Sequence, residues 1–325
     1  MTLAGAFGLM ARPVFAVLAG RTSLGILMYH RVLERPDPLQ PLQMHRDAFD
    51  LQMRLLSENF APLRLDAALI GLERGTLPAR AVAVTFDDGY ADNLHVALPV
   101  MQRHSVPATV FVTSGFVDGG PMWNDVVVEK VRRLPAGDHD FAFLGPGPRC
   151  IAGDHDRHSL VREILMNLKY RPAAERDALV ELLPAPADGV SLPHLMLSAG
   201  ELRALHVAGV EIGAHTVSHP ILARVSEQEA EREMLEGRAQ LSELIGAPVR
   251  GFAYPNGRPV RDYDQRHPQL ARRLGFDYAV STAWGVARAA SDPFQLPRMA
   301  YVPCTELQFM GRMLSSYRQA AADTV

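Results

Sequence analysis

Seven short runs of apolar and β-branched residues recur along this chain of 325 residues, and stretches with helical patterns separate most of them. Most runs are apolar throughout rather than alternating, which is typical of strands buried on both faces of a sheet. Strands that alternate with helices favour a parallel sheet of βα units, and a barrel of this kind can reach the observed length as one domain. The predicted strands are residues 25–30, 81–86, 108–113, 210–215, 249–254, 278–282 and 294–299.

One long stretch, residues 121–197, breaks this alternation. It contains no convincing strand, a Pro/Gly-rich part at 135–153 and two helical patterns at 159–170 and 173–183. We therefore expect a helical insertion on the barrel rim, which forms either a lid or substrate wall, or helices that only cover the barrel's side. The barrel itself is expected at residues 24–302, followed by a helix or tail at 303–325.

The N-terminal segment, residues 1–23, is apolar and rich in small residues. Arg12 and Pro13 interrupt the apolar run, so it is too short and too broken for a membrane span. We expect a packing helix, or one that lies on a membrane surface, in a cytoplasmic protein. A small-residue site near Ala19 leaves cleavage and export as the alternative.

Charge and cysteine content narrow the function classes. The formal net charge is −3, and both signs are interspersed without the basic stripe that nucleic-acid binding requires. We therefore expect no nucleic-acid partner, and a neutral substrate fits better. Cys150 and Cys304 stand in unrelated contexts, which favours neither a disulfide framework nor a structural zinc site.

Two adjacent carboxylates, Asp87 and Asp88, follow the predicted strand 81–86 and precede Gly89. This position is the C-terminal mouth of a parallel barrel, where such folds build active sites. Neighbouring strand residues point to opposite faces, so the two acids are expected to differ in role: one can bind a cation while the other acts as a base on water. The alternative is an Asx turn at a strand end.

Two histidines follow the predicted strand 210–215. His215 ends that strand and His219 comes four residues later, so a helical turn there would place both imidazoles on one face. Two imidazoles and a carboxylate can hold a metal and leave positions open for water and substrate. Two surface histidines near a helix start are the alternative.

Together these segments resemble a known family. The sequence Thr-Phe-Asp-Asp-Gly followed by His-Thr-x-x-His resembles the first two motifs of the polysaccharide deacetylases, the NodB-homology family of carbohydrate esterases (family 4). The resemblance covers about residues 24–302 except the insertion. It implies a distorted (β/α)7 barrel in which Asp87 is the base and Asp88, His215 and His219 bind the metal.

The third family motif departs from its usual form, Arg-Pro-Pro-Tyr-Gly. This chain reads Phe-Ala-Tyr-Pro-Asn-Gly, with Ala253 at the place of the arginine and Asn256 at the place of the tyrosine. The backbone amide of Asn256 can still donate to an oxyanion, and Tyr254 is predicted to contribute to the same site. Arg298, which ends a late strand, is the candidate to orient the base; a salt bridge on the rim is the alternative.

The general acid is predicted at the other end of the chain. The family's C-terminal Leu-x-His motif is missing, but His30 ends the first predicted strand. This arrangement resembles the circularly permuted branch of poly-N-acetylglucosamine deacetylases, in which that strand comes first, and it implies that His30 is the acid. Trp123 opens the insertion and offers an apolar face for a sugar ring, with core packing as the alternative.

The resemblance implies a hydrolase that removes N-acetyl groups from amino sugars of a polysaccharide or glycan precursor, by metal-activated water. Mixed nitrogen and oxygen ligands favour zinc, with iron, cobalt, nickel or manganese as alternatives. Two other functions fit the same residues: a metal-dependent amidase that acts on a small non-sugar amide or cyclic imide, and a non-catalytic glycan-binding relative.

Overall fold

The computed structural model describes residues 22–184, 194–318 and 323–325. In chain order the strands are β1 (Ser23–Tyr29), β2 (Val32–Leu33), β3 (Met44–His45), β4 (Ala61–Pro62), β5 (Ala81–Phe86), β6 (Ala108–Val112), β7 (Gly137–His139), β8 (Arg149–Ile151), β9 (Glu211–Ala214), β10 (Gly251–Ala253), β11 (Tyr278–Val280), β12 (Ala287–Arg288) and β13 (Met299–Ala300). The helices are α1 (Arg46–Asn59), α2 (Leu65–Glu73), α3 (Leu98–Arg103), α4 (Trp123–Arg132), α5 (Asp154–Leu168), α6 (Ala173–Glu181), α7 (Ala199–Val207), α8 (Glu227–Ile245), α9 (Arg266–Arg273) and α10 (Glu306–Arg318).

The main sheet has nine strands within the described residues, and its central path runs β11-β10-β9-β6-β5-β1-β12. All neighbours along this path are parallel except β1 and β12. The sheet is curved, and the segment 296–300 connects its two sides. Leu296 bridges to Val280 of β11, while Met299 of β13 pairs with Leu27 of β1. The sheet thereby becomes a distorted barrel.

Alternation along the strands divides the apolar side chains between two layers. In β5, Val82, Val84 and Phe86 belong to the cluster beneath the helices, whereas Ala81 and Ala83 belong to the cluster inside the barrel. Successive strand residues face opposite sides, so the residue after Phe86 returns to the inner side at the barrel mouth.

The predicted strands agree with the observed ones except at the last. The run 294–299 contributes only a bridge at Leu296 and the start of β13. Pro297 cannot donate a ladder hydrogen bond, and Asp292 binds the backbone N–H of Phe294 in a turn. A continuous strand over this run was therefore a wrong prediction.

The insertion is a small subdomain with its own core. α4, α5 and α6 enclose an apolar cluster that includes Val127 and Ile164. The Pro/Gly-rich part contains an antiparallel hairpin, β7–β8, in which Gly137 pairs with Ile151. The prediction of no strand here was wrong because these strands are only three residues long, too short to show a periodicity.

The C-terminal helix belongs to the main core of the barrel. α10 packs against α1 and buries Phe309 and Met313 beneath the barrel's helical layer. In the described ranges no helix has the length and apolarity that a membrane crossing requires. The predicted N-terminal helix and its membrane contact lie almost entirely in residues 1–21, outside the described residues, so they stay predictions together with the cytoplasmic location.

Candidate active site

A partly open cleft of about 440 Å³ lies where the barrel strands end. Its floor is formed by His30 after β1, by the acid pair after β5, by the histidine pair after β9, and by two residues that follow β10 and β11. The lining residues are Met28, His30, Asp87, Asp88, His215, His219, Ile221, Asn256 and Thr282 on the barrel side, and Met122, Trp123, Asn124, Leu165, Lys169 and Arg176 on the insertion side. The structure thus gathers most of the sequence-predicted site residues into one cavity.

Asp88, His215 and His219 form a three-ligand cluster in this cleft. Oδ1 of Asp88 lies 3.4 Å from Nε2 of His215 and 3.4 Å from Nε2 of His219. One donor atom from each residue can be chosen so that all three lie within 4.8 Å of one another. Oδ1 of Asp88 is buried and has no hydrogen-bond partner among the described residues. A buried carboxylate oxygen without a donor, facing two imidazole nitrogens, fits a bound cation.

A backbone contact sets the tautomer of His215. Its Nδ1 lies 2.7 Å from the carbonyl oxygen of Ala253, so Nδ1 carries the proton and donates it to that oxygen. Nε2 is then left with its lone pair directed at the cluster, as a metal ligand requires. Ala253, which stands in the place of the family's arginine, therefore orients His215 through its backbone carbonyl.

The loop that carries His219 is not helical. Thr216 and His219 both have positive φ, 68° and 59°, and Oγ1 of Thr216 accepts the backbone N–H of His219 at 3.0 Å. The helical turn that would have placed both imidazoles on one face therefore does not form at His215. The two rings nevertheless meet, with centroids 4.9 Å apart, because the left-handed residues fold the loop back over the strand end.

Glu233 of α8 clamps this loop. Its Oε2 accepts the backbone N–H groups of Val217 and Ser218, each at 2.8 Å, and its Oε1 accepts the Ser218 hydroxyl at 2.7 Å. Gly237, one turn later, allows close approach of α8, since a Cβ there would lie 2.9 Å from the carbonyl carbon of Thr216. Sequence reasoning missed Glu233 because it is one of several glutamates in a long amphipathic helix.

The electrostatics of the cluster favour an ionised Asp88 beside a neutral His219. Burial acts to raise the pKa of Asp88, but the neighbouring His215, His30 and His219 hold that pKa well below its usual range. Burial lowers the pKa of His219 to about 4, so this ring is neutral at physiological pH. A neutral imidazole is the form that binds metal.

Asp87 is held by Arg298 in a fully buried ion pair. Nη1 and Nη2 of Arg298 donate to the two carboxylate oxygens at 2.7 and 2.6 Å, and Arg298 is 0% exposed. Arg298 is itself anchored by Ser281, whose carbonyl accepts Nε at 2.9 Å, and by the hydroxyl of Thr85 at 3.2 Å. Burial opposes ionisation of Asp87, but the guanidinium lowers its pKa below the ordinary value. Asp87 is therefore an oriented, ionised carboxylate at the edge of the cleft.

The structure excludes Tyr254 from the cleft, which corrects the prediction that it contributes to the oxyanion or substrate site. Its ring stacks on Tyr263 with centroids 4.1 Å apart, and its hydroxyl donates to the carbonyl of Phe294 at 3.0 Å. The reason is alternation along β10, because Ala253 faces the barrel interior and Tyr254 faces the helical layer.

His30 is positioned by the segment that follows the acid pair. Nδ2 of Asn93 donates to the carbonyl of His30 at 2.9 Å, and Asp92 accepts the backbone N–H of Val32 at 3.0 Å and Nε of Arg31 at 2.8 Å. These contacts hold the backbone on both sides of His30. Its side chain lines the cleft with the metal cluster.

Asp125 of α4 connects the insertion to the segments that follow His30 and the acid pair. The hydroxyl of Tyr90 donates to Asp125 at 3.0 Å, and Nη1 of Arg31 lies 3.9 Å from the same carboxylate. Burial raises the pKa of Asp125 to about 7. Beside it, Trp123 lines the cleft, with the Arg176 guanidinium 5.0 Å from its ring centroid. The insertion is therefore a wall of the cleft, one of the two arrangements expected from the sequence.

Comparison with known proteins identifies the family. The family model described as polysaccharide deacetylase matches residues 74–143 and 186–279, half of the chain. This chain belongs to the polysaccharide deacetylase family. It is accordingly a hydrolase of carbohydrate N-acetyl groups, as the motif resemblance predicted.

Individual relatives agree with this membership. The protein YxkH of Bacillus subtilis (strain 168) is 20% identical over 297 residues, which cover 91% of this chain and 77% of the relative. The Streptococcus pyogenes deacetylase PplD in complex with acetate has a TM-score of 0.61 at 21% identity, covering 91% of this chain and 99% of that one. IcaB from Ammonifex degensii has a TM-score of 0.55 at 19% identity, covering 92% and 98%. These structural similarities confirm the predicted distorted (β/α)7 barrel, whereas the permuted arrangement stays a prediction.

The Arg298–Asp87 pair yields a stability prediction. Arg298→Met leaves the carboxylate of Asp87 buried without a partner, so we expect the free energy of unfolding to fall by about 3–5 kcal/mol. The double variant Arg298→Met/Asp87→Asn removes the orphaned charge and is expected to recover part of that loss. Urea unfolding with a chelator present measures both. A single variant as stable as the wild type would show that the pair is not buried in solution.

Glu233 yields a prediction on metal affinity. Glu233→Gln replaces a carboxylate that accepts from two backbone N–H groups near His219, so we expect affinity for Zn²⁺ to fall by roughly 10–100-fold. Competition with a chromophoric chelator gives the dissociation constant. Glu236→Gln, on the exposed face of the same helix, is the matched control and should bind Zn²⁺ as the wild type does. Equal affinity in both variants would contradict the clamp.

Proposed function

We propose that this chain is a metal-dependent deacetylase that removes N-acetyl groups from the amino sugars of a glycan, with Asp87 as the catalytic base. One observation carries the proposal: an ionised carboxylate, oriented by a buried arginine, lines the same cleft as a complete Asp-His-His cluster. A base beside a metal cluster is the arrangement that amide hydrolysis by activated water requires.

Asp88, His215 and His219 would hold the metal. Two imidazoles and one carboxylate suit zinc, with iron, cobalt, nickel or manganese as alternatives. When bound, the divalent cation supplies a Lewis acid that lowers the pKa of water and polarises the acetyl carbonyl.

Asp87 accepts the proton of the attacking water as the new C–O bond forms at the acetyl carbon. Arg298 donates one hydrogen bond to each carboxylate oxygen. Each oxygen keeps a second lone pair that can accept a water proton. The same pair keeps Asp87 ionised and prevents its rotation, so the base is ready before substrate binds.

The backbone N–H of Asn256 is the proposed donor to the oxyanion. Asn256 lines the cleft with a left-handed φ of 58°, and its carbonyl accepts the Thr282 hydroxyl at 2.8 Å. A peptide held in this way can donate to developing charge without reorganising. Because Tyr254 is excluded, the contribution at this position comes from the backbone alone.

His30 is the proposed general acid. It protonates the nitrogen as the C–N bond breaks, and the products are acetate and a free amino sugar. The partly open cleft and the indole of Trp123 favour a sugar ring over a small amide in a closed pocket.

The role of Asp87 predicts loss of activity without loss of metal. In Asp87→Asn the base is replaced by an amide of the same shape, so acetate release from N-acetylglucosamine oligomers should fall by roughly 10²–10⁴-fold. Elemental analysis should still find the metal, because Asp88 and the histidines are intact. Asp47→Asn, exposed in α1, is the control. Full activity of the Asp87 variant would refute the assignment.

The role of His30 predicts dependence on the leaving group. His30→Gln should lower acetate release from an N-acetyl sugar by roughly 10²–10⁴-fold, because the departing amine needs a proton. Hydrolysis of 4-nitrophenyl acetate should change much less, since nitrophenolate leaves without one. Equal losses on both substrates would contradict the acid role.

A further inference from the structure

A cluster of cations surrounds Tyr170, which follows the C-terminal end of α5. The guanidinium carbon of Arg261 lies 4.1 Å from the centre of the tyrosine ring, Nζ of Lys169 lies 5.6 Å from it, and the guanidinium carbon of Arg224 lies 5.7 Å from it. Arg258 belongs to the same group, because its charge acts on both Lys169 and Tyr170. We call Lys169, Arg224, Arg258 and Arg261 the basic cluster.

The basic cluster is weakly compensated. Among the residues that the structure describes, Asp262 is the one carboxylate whose charge acts on Lys169, and Asp262 is buried and also accepts the backbone N–H of Arg258 at 3.1 Å. No described carboxylate lies within 4.0 Å of the side-chain nitrogens of the four cations. Burial lowers the pKa of Lys169, and the neighbouring Arg261 and Arg258 add to that effect.

The basic cluster adjoins the active-site cleft. Lys169 itself lines the cleft with His219. The loop that carries Asn256 continues directly to Arg258 and Arg261, and the segment that carries Ile221, another lining residue, continues to Arg224. A glycan bound with its acetamide at the metal cluster can therefore extend a neighbouring sugar toward these four cations.

Packing of the insertion against the barrel does not account for this arrangement. One cation over Tyr170 would be enough for a cation–π contact. Three further positive charges nearby repel it and one another, which is unfavourable. Arg224, Arg258 and Arg261 are exposed, so each could turn outward to solvent at no cost in burial. A set of cations with so little opposing charge fits the recognition of an anion.

We propose that the basic cluster binds an anionic group, a carboxylate or a phosphate, on a sugar adjacent to the N-acetylated one. The substrate class is therefore an acidic glycan, in contrast to the neutral substrate expected from the net charge. This inference rests on the proposed deacetylase function, since that function places the acetamide at the metal cluster.

Binding of matched probes tests the inference in the Asp87→Asn background, where turnover is suppressed. The first pair of probes is a tetrasaccharide of alternating N-acetylglucosamine and glucuronate against the neutral tetrasaccharide of N-acetylglucosamine. The second pair is the disaccharide of N-acetylglucosamine with a 6-phosphate on one of its two sugars against the same disaccharide without phosphate. Calorimetry at low ionic strength is expected to show about tenfold or more tighter binding of at least one charged probe than of its neutral partner. The pair that shows the preference distinguishes a carboxylate from a phosphate.

Adding Arg258→Gln and Arg261→Gln together, at two exposed residues that do not line the cleft, should abolish that preference and leave the affinity for the neutral probe unchanged, which also shows that the cleft is still folded. Arg74→Gln removes one exposed charge outside the cleft and should keep the preference. The inference is overturned if neither charged probe binds more tightly than its neutral partner, or if the preference survives the double substitution. Acetate release by the chain without substitutions, measured on the same oligosaccharides, tests the proposed function separately: its absence would refute deacetylation, while the binding data would still decide the anion site.

Discussion

The active site depends on one buried ion pair, between Asp87 and Arg298. Taking both charges out of water is costly, and such a pair does little for stability compared with apolar packing. Its value here is positional, because two parallel hydrogen bonds hold the carboxylate in one orientation and keep it ionised. The pair exists only when the segment 296–300 closes the barrel between β11 and β1. The segment that closes the barrel therefore also supplies the arginine that orients Asp87.

The Asp-His-His cluster likewise depends on a small number of supporting contacts. A backbone carbonyl selects the tautomer of His215, and a buried glutamate on α8 shapes the loop that presents His219. Neither supporting group is a ligand, yet each determines where a ligand's lone pair points. Arg298 is a further supporting residue. Because β10 carries Ala253 in place of the family's arginine, the cation that orients Asp87 comes instead from Arg298 in the segment 296–300.

Local patterns predicted much of this structure correctly. Strands that are apolar throughout indicated a buried parallel sheet, and polar residues at two strand ends indicated where the site would form. The errors have local explanations as well. Alternation along β10 places Tyr254 opposite Ala253, so the sequence itself carried the signal that excludes Tyr254 from the cleft. The loop between His215 and His219 has helical spacing but left-handed residues, which a spacing argument cannot recognise.

The sequence by itself determined the barrel class and the family motifs, because these follow from residue type and short spacings. The resemblance to the family then implied Asp88, His215 and His219 as the expected ligands and Asp87 as the expected base. Only the tertiary structure decided that Arg298 meets Asp87, that Glu233 clamps the histidine loop, and that the insertion walls the cleft. It also brought together Lys169, Arg224, Arg258 and Arg261, which a net charge of −3 conceals. These contacts join residues far apart in the chain, and their distances are set by how the strands close and the helices pack, which no local pattern encodes.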